Sequence, residues 1–239
     1  MKIKFNVFVF AIMLFFSLQS YALNVISHIP PHPTEAIILI HGLGGNGKDM
    51  FSLGSYFSKS YPNMAIYSPT APDKFIYGGY QWFEIPSMGN KMKEEDIYQT
   101  IMITAQKNLK ALHKLIDDIH VTQNIPYKNI YISGFSQGGF MSILTSLTYH
   151  HQIGKVISFS GVPVKLTKDF TKSSIKSSPE VLIIEGTSDN IIPKESYKIT
   201  SQTLDILNIP YSLKIIPNMP HTINQEAINS AISFLKTTP

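Results

Sequence analysis

The sequence predicts an α/β protein in which a mostly parallel central sheet is flanked by helices on both faces. Short aliphatic runs such as AIILI, residues 36–40, alternate along the chain with longer stretches of helical periodicity. Strands that are apolar on both faces and separated by helices form parallel sheets that are covered on both sides. The chain has 239 residues, of which 44% are hydrophobic, so it is long enough to bury such a core.

Each predicted strand is a run rich in Ile, Val or Leu that is bounded by polar, Gly or Pro residues. The predicted strands cover residues 36–40, 64–67, 129–135, 155–160, 181–185 and 211–216. The predicted helices lie between and after them and cover residues 47–59, 94–121, 137–149, 194–207 and 222–236. Residues 68–90 are rich in Pro, Gly and aromatic residues, and we expect a long loop there.

Residues 1–22 have the pattern of a secretory signal peptide. Two lysines precede an unbroken apolar run from Val7 to Phe16, and Ser20-Tyr21-Ala22 supplies small residues at the positions that a signal peptidase requires. An apolar run of this length is too short to cross the ~30 Å hydrocarbon layer of a membrane. The sequence therefore predicts an exported protein, periplasmic or secreted, with one domain at 23–239 and no integral membrane span after cleavage.

The composition excludes several classes of function. All 20 basic residues are lysines, whereas proteins that read nucleic acid usually rely on arginine for bidentate contacts; we therefore expect no nucleic-acid partner. The chain has no cysteine, which excludes a thiol nucleophile, a disulfide framework and a thiolate metal site. The formal net charge is +4, and two of the lysines lie in the signal peptide, so the charge indicates no particular partner.

The most informative motif follows the predicted strand 129–135. GFSQG, residues 134–138, has the pattern G-x-S-x-G on a strand-to-helix turn. Such a turn exposes a serine at the carboxyl end of the sheet, and small flanking residues let the strand and the helix approach closely. The N-terminus of the following helix favours developing negative charge. Ser136 is therefore the candidate nucleophile; the alternative is a bystander serine in a Gly-rich joint.

A serine nucleophile needs a base and a carboxylate that orients the base, and in such sheets the chain order is Ser, Asp or Glu, then His. Asp189 follows the strand 181–185, and His221 follows the strand 211–216. No other histidine lies after His151. The alternatives are a loop or N-cap carboxylate at Asp189 and a helix N-terminal histidine at His221.

The Gly-rich loop HGLGGNGK, residues 41–48, allows three interpretations. Its glycines match the dinucleotide pattern G-x-G-x-x-G and nearly match a P-loop. However, Asp49 stands where a P-loop needs Ser or Thr, and Ser68 rather than an acid follows the second strand. The favoured interpretation is an oxyanion hole, in which N–H groups of this loop and of Gln137 face the oxygen of Ser136.

Together these motifs resemble the carboxylesterase/phospholipase family of α/β-hydrolases, which includes acyl-protein thioesterases. The shared segments are HGLGG at 41–45, YQWFEI at 80–85, GFSQGG at 134–139, GTSDNIIP at 186–193 and the histidine before the last helix. The resemblance covers nearly all of the chain after residue 22. It implies an α/β-hydrolase fold without a large lid domain, and neither a metal nor an organic cofactor.

The resemblance also assigns roles to individual residues. It implies that Ser136 is the nucleophile, His221 the base and Asp189 its orienting partner. The backbone amides of Leu43 and Gln137 would then be the oxyanion donors.

The segment 80–85 resembles the flap that lines the substrate pocket in the family. Trp82 and Phe83 are therefore candidate pocket residues, and core packing is the alternative for Trp82.

The expected activity is hydrolysis of a carboxylic ester, with lysophospholipids among the candidate substrates, through an acyl-enzyme intermediate. Because the predicted export separates the enzyme from lipidated cytosolic proteins, we expect small-molecule or lipid esters rather than protein thioesters. A thioesterase, a catalytically inactive secreted binding protein and a nucleotide-binding protein are the alternatives. The sequence gives no indication of the oligomeric state.

Overall fold

The computed structural model describes residues 23–86 and 92–237. The predicted signal peptide at 1–22 lies outside the described residues. Among the helices of the two described ranges, none has both the length and the hydropathy needed to span a membrane.

Within these ranges the chain forms nine strands, of which seven belong to one central sheet and two form a hairpin. The strands are β1 (Asn24–His28), β2 (Glu35–Ile40), β3 (Met64–Thr70), β4 (Asp73–Lys74), β5 (Tyr80–Gln81), β6 (Ile130–Phe135), β7 (Val156–Phe159), β8 (Val181–Gly186) and β9 (Tyr211–Ile216). The order in the central sheet is β1-β3-β2-β6-β7-β8-β9. β1 is antiparallel to β3, and the other neighbouring pairs are parallel. The prediction of a mostly parallel sheet is therefore confirmed.

Five α-helices cover the sheet. They are α1 (Gly47–Ser60), α2 (Glu94–Gln123), α3 (Gln137–Thr148), α4 (Tyr197–Leu207) and α5 (Gln225–Lys236). Asparagines cap two of them at the N-terminus: Asn46 accepts from the N–H of Lys48 before α1, and Asn224 accepts from the N–H of Ala227 before α5.

The core has two layers because the central strands are apolar on both faces. In β2, Ile38 and Ile40 face a cluster with α2, α3 and α4, whereas Ile37 and Leu39 face a second cluster with α1 and α5. All four side chains are at most 1% exposed. Helices therefore lie on both faces, as the sequence predicts.

The structure differs from the sequence prediction at the ends of elements and at one edge of the sheet. α4 begins at Tyr197 rather than at 194, because Glu195 adopts a φ of 65°, which lies outside the right-handed helical region. α5 begins at Gln225 rather than at 222, because Asn224 is its cap. The edge strand β1 was not predicted, and β4 and β5 form a hairpin inside the predicted loop. In the described part of the chain, no inserted domain covers the strand ends.

The junction between β6 and α3 leaves no room for side chains. A Cβ atom on Gly138 would lie 2.0 Å from the carbonyl oxygen of Ile40, and one on Gly134 would lie 2.2 Å from the carbonyl oxygen of Gly138. The two glycines of the G-x-S-x-G pattern therefore let α3 lie directly on β6 and on the end of β2.

We expect Gly138→Ala to lower the free energy of unfolding by about 3 kcal/mol, because the new methyl group overlaps a backbone carbonyl that cannot move alone. Ser142→Ala, in the same buried helix, loses only a hydrogen bond from the hydroxyl to the carbonyl of Gly138 and should cost about 1 kcal/mol. Urea unfolding followed by circular dichroism measures both. Equal small losses would contradict the steric argument.

Candidate active site

Ser136 occupies the turn between β6 and α3 in a strained conformation. Its φ is 55° and its ψ is −116°, a region that non-glycine residues rarely adopt and that costs roughly 1–3 kcal/mol. Its N–H donates to the carbonyl of Phe159 at 2.9 Å, and its carbonyl accepts from the N–H of Val162 at 3.2 Å. The residue is 8% exposed. Backbone strain that the surroundings maintain in this way is characteristic of functional turns.

Asp189 and His221 form a hydrogen-bonded pair. The Nδ1 atom of His221 lies 2.7 Å from Oδ2 of Asp189, and their side chains are 15% and 4% exposed. Because an ionised carboxylate only accepts, the proton lies on Nδ1 and leaves Nε2 as the basic nitrogen. The other carboxylate oxygen accepts from the N–H groups of Ile191 and Ile192 at 2.9 and 3.0 Å.

These hydrogen bonds keep Asp189 ionised. Burial raises the pKa of its carboxyl, but the hydrogen bond from His221 and those from the N–H groups of Ile192 and Ile191 outweigh burial. The pKa of Asp189 is therefore below its ordinary value. The alternative interpretation of Asp189, a loop or N-cap carboxylate, is therefore correct in part. The carboxylate does accept from backbone N–H groups of the loop before α4.

The loops that carry Asp189 and His221 are joined by backbone hydrogen bonds. The N–H groups of Thr187 and Ser188 donate to the carbonyls of Ile216 and Met219 at 3.0 and 3.1 Å. In the opposite direction, the N–H of Asn218 donates to the hydroxyl of Thr187 at 2.8 Å. The spacing between the carboxylate and the imidazole is therefore set by the backbone of both loops.

The structure places these loops next to the turn of Ser136. The ring of Phe135 lies 4.6 Å from the ring of His221, centroid to centroid. On the other side, a Cβ atom on Gly42 would lie 3.3 Å from Cβ of Ser136. A cavity of about 470 Å³ lies here, lined by Leu43, Phe135 and His221 among others. The four loops that carry the residues selected from the sequence thus lie next to one another at the carboxyl edge of the sheet.

Two backbone N–H groups at this edge, one in the Gly-rich loop and one at the start of α3, could serve as hydrogen-bond donors. Within residues 23–86 and 92–237, the N–H groups of Leu43 and Gln137 have no hydrogen-bond acceptor. Gln137 is the first residue of α3, where N–H groups lie outside the helical ladder. Gly44 and Gly45 exchange two backbone hydrogen bonds with Tyr80, at 2.9 and 3.1 Å, and these fix the loop. Two N–H groups on fixed backbone can stabilise an oxyanion.

His41 is a structural hydrogen-bonding residue in this loop. It is 1% exposed, and its Nε2 accepts from the N–H of Ala71 at 3.0 Å. Nδ1 therefore carries the proton and donates to the carbonyl of Gly42 at 2.6 Å. Burial lowers the pKa of His41 against smaller opposing effects. The ring is thus neutral, and both of its nitrogens are occupied by the backbone.

The side chain of Gln137 has a role that the sequence analysis missed. Its amide oxygen accepts from the N–H of Trp82 at 3.0 Å, and its amide nitrogen donates to the carbonyl of Phe83 at 2.9 Å. Asn108 of α2 donates to the carbonyl of Trp82 at 2.6 Å. Buried side chains therefore bind the backbone of Trp82 and Phe83, directly after the short strand β5. The partners are more than 25 residues apart in the chain, so no local pattern indicates them.

Trp82 and Phe83 are buried, at 0% and 1% exposure. The indole N–H of Trp82 donates to the carbonyl of His41 at 3.0 Å, and the ring of Phe83 lies 4.9 Å from that of Phe140. Trp82 thus binds the Gly-rich loop, and Phe83 packs against α3. Their proposed role in lining the pocket stays a prediction.

A second cavity, of about 880 Å³, lies beside the hairpin β4–β5. Apolar side chains, among them Phe75, Ile76, Tyr77 and Ile85, form much of its lining. Leu43 lines this cavity as well as the one beside His221, so both cavities border the Gly-rich loop. Among the described residues, no three His, Cys, Asp or Glu side chains are grouped so that they could hold a metal ion.

Comparisons with known proteins agree with this architecture. A model of the family described as phospholipase/carboxylesterase matches residues 22–239. The chain is 29% identical over 211 residues to acyl-protein thioesterase 1 of Eremothecium gossypii, covering 84% of this chain and 86% of that protein. It is 28% identical over 213 residues to a protein of Arabidopsis thaliana named probable carboxylesterase SOBER1-like, covering 84% and 77%. The crystal structure of esterase PE8 superimposes with a TM-score of 0.78 at 26% identity, covering 90% of this chain and 97% of that one.

The strain at Ser136 leads to a stability prediction. We expect Ser136→Gly to be more stable than Ser136→Ala by about 1 kcal/mol, because glycine adopts the positive φ without strain and loses only part of that gain to its flexibility in the unfolded chain. Both variants lack the hydroxyl, so the comparison isolates the backbone. Urea unfolding measures the difference, and a less stable glycine variant would refute the strain.

Proposed function

The chain belongs to the phospholipase/carboxylesterase family, and on that premise we propose that it hydrolyses carboxylic esters through Ser136, His221 and Asp189. The main support is the meeting of a strained serine turn with a hydrogen-bonded imidazole–carboxylate pair at one edge of the sheet.

In the proposed mechanism, Oγ of Ser136 attacks the carbonyl carbon of the ester while Nε2 of His221 takes the hydroxyl proton. The tetrahedral intermediate collapses, the bond to the alcohol oxygen breaks, and His221 gives the proton to the leaving alcohol. A water molecule then attacks the acyl-enzyme with His221 again as base, which releases the acid and restores the serine. Asp189 holds the Nδ1 tautomer and stabilises the transient imidazolium.

The oxyanion of the intermediate is proposed to bind the backbone N–H groups of Leu43 and Gln137. Both groups lack an acceptor in the described part of the chain, and both lie on backbone that other residues fix. Loss of one such donor typically lowers kcat about 10²–10³-fold. His41 and the side chain of Gln137 support this hole without touching the oxyanion.

The proposed substrate is a small-molecule or lipid ester, lysophospholipids included. Two cavities border Leu43, and apolar side chains form much of the lining of one of them; we propose that they receive the acyl and alcohol parts of the ester. Thioester hydrolysis is the second candidate, because relatives carry the name acyl-protein thioesterase. The same residues would perform either reaction, so the leaving group is the variable to test.

We also propose that residues 1–22 direct export and that the enzyme acts outside the cytoplasm. The support is the arrangement of two lysines, the apolar run 7–16 and the small residues before 23. This location favours esters in the surroundings of the cell over lipidated cytosolic proteins.

The decisive test is labelling with a fluorophosphonate, which reacts with activated serines. We expect stoichiometric labelling of the wild type, none in Ser136→Ala, and loss of at least about 10³-fold in labelling rate in His221→Ala, because the hydroxyl then lacks its base. Ser55→Ala and His32→Ala serve as matched controls, since both residues are exposed, and they should label like the wild type.

Parallel assays with p-nitrophenyl esters and acyl thioesters of increasing chain length identify the substrate class. Ester turnover well above thioester turnover supports the proposal, and the reverse order favours the thioesterase. Folded wild-type protein that neither labels nor turns over either series would refute the hydrolase and favour a binding protein on the same fold.

Export leads to a separate prediction. In a Gram-negative host the full-length chain should be recovered from the periplasm or medium as a protein that begins at Leu23, because signal peptidase cleaves after small residues. Ala22→Lys, which places a large charged residue at the cleavage point, should block processing. A cytoplasmic protein that keeps residues 1–22 would contradict export.

A further inference from the structure

Glu185 is a buried carboxyl that the proposed mechanism does not use. It lies near the end of β8, is 7% exposed, and its sequence position indicated only the end of a strand. One of its oxygens accepts from the backbone N–H of Gly161 at 3.2 Å. A buried acid of this kind needs an explanation, because buried carboxyls are rare unless they are paired.

The loop that Glu185 contacts holds the backbone of Ser136. Phe159 and Val162 flank Ser160 and Gly161 and bind the backbone of Ser136. The carbonyl of Phe159 accepts from the N–H of Ser136, and the N–H of Val162 donates to its carbonyl. Ser160 adopts a φ of 43°, and its N–H donates to the carbonyl of Ile184 at 2.8 Å. Glu185 therefore adds a side-chain contact to the loop 160–162 at the point where the loop meets the serine turn.

Glu185 is also an electrostatic neighbour of Asp189. Both side chains line a cavity of about 110 Å³. Burial, together with the negative charge of Asp189, raises the pKa of Glu185 to about 8 against a smaller lowering by the N–H of Gly161. Glu185 is therefore uncharged at neutral pH and ionised at higher pH. The other titratable side chains that line this cavity are Lys194, Glu195 and Tyr197.

We propose that Glu185 is a positioning residue of this hydrolase: its uncharged carboxyl holds the loop 160–162 behind Ser136 and leaves Asp189 as the single anion beside His221. This role rests on the proposed function, since it acts through Ser136 and His221 and touches no substrate.

Ionisation of Glu185 should break the contact between its carboxyl and the loop 160–162. A second anion next to Asp189 repels it, and the ionised carboxyl of Glu185 has lost almost all contact with water. Movement of the carboxylate toward solvent relieves both effects, and the N–H of Gly161 then loses its acceptor. Turnover should therefore fall as Glu185 loses its proton, whereas substrate binding should not change.

The test compares the wild type with Glu185→Gln and Glu185→Ala on a soluble p-nitrophenyl ester from pH 6 to pH 10. Ser136→Ala corrects for spontaneous hydrolysis. We expect kcat of the wild type to fall about tenfold from pH 7 to pH 9. At pH 9, one unit above the pKa of Glu185, only about one molecule in eleven keeps the proton on this carboxyl. Glu185→Gln, an uncharged isostere that still accepts from Gly161, should match the wild type at pH 7 and lack this fall. KM should change less than about twofold in both proteins.

Two variants separate charge from packing. Glu185→Ala leaves Gly161 without its acceptor and should lower kcat about tenfold at pH 7, with no alkaline fall, because misplacement of a nucleophile is costly. Glu95→Gln removes an exposed glutamate and should keep the wild-type profile. An alkaline fall that persists in Glu185→Gln overturns the proposal, as does a Glu185→Gln protein that is inactive or unfolded at pH 7.

A second readout needs no turnover. A carboxyl whose pKa is higher in the folded than in the unfolded chain stabilises the fold fully below its unfolded pKa, and this contribution is lost as pH rises through the folded pKa. The melting temperature of the wild type should therefore fall relative to that of Glu185→Gln between pH 4.5 and pH 8. Parallel melting curves overturn the proposal. An inactive wild type that shows this divergence refutes the hydrolase function alone.

Discussion

The contact between α3 and the end of β2 determines the geometry of the whole site. Because Gly138 lies against the carbonyl of Ile40, at a distance that excludes any side chain, the chain between β6 and α3 has to turn within one residue. That residue is Ser136, and a turn this tight requires its positive φ. The same close packing brings Gly42 against Ser136, so the Gly-rich loop and the serine are placed by a single contact between backbones.

Buried polar side chains then stabilise the loops at the strand ends. A buried backbone group without a partner costs about 1–3 kcal/mol, and the segments 41–45 and 80–85 have few strand neighbours to supply one. The side chain of His41 binds the carbonyl of Gly42, and those of Asn108 and Gln137 bind the backbone of the segment 80–85. Gln137 is central because its backbone N–H has no acceptor among the described residues, while its side chain binds the neighbouring segment. Reactive geometry and loop stability therefore depend on the same residue.

The sequence predicted those features that local patterns determine. Runs that are apolar on both faces identified the parallel strands, since a strand buried between two helix layers has no polar face. The strand ends then located Ser136, Asp189 and His221 in the order that the sheet topology requires. Features that depend on distant partners could not be predicted: β1 is a short, mostly exposed edge strand that pairs with residues 66–70, and Gln137 finds its partners 54 and 55 residues away.

The neighbouring carboxyls of Asp189 and Glu185 show how the number of local hydrogen-bond donors decides whether a buried acid is charged. Burial raises the pKa of both Asp189 and Glu185. Asp189 accepts from the imidazole and from two backbone N–H groups, and these keep it an anion. Among the described residues Glu185 accepts from one N–H only, and this lowers its pKa less than burial and the charge of Asp189 raise it, so Glu185 keeps its proton at neutral pH. In the proposed mechanism an imidazolium forms during turnover and needs one counter-anion, and a second would be a buried charge without a partner. The division of roles between two neighbouring acids therefore follows from the number of donors that each loop provides.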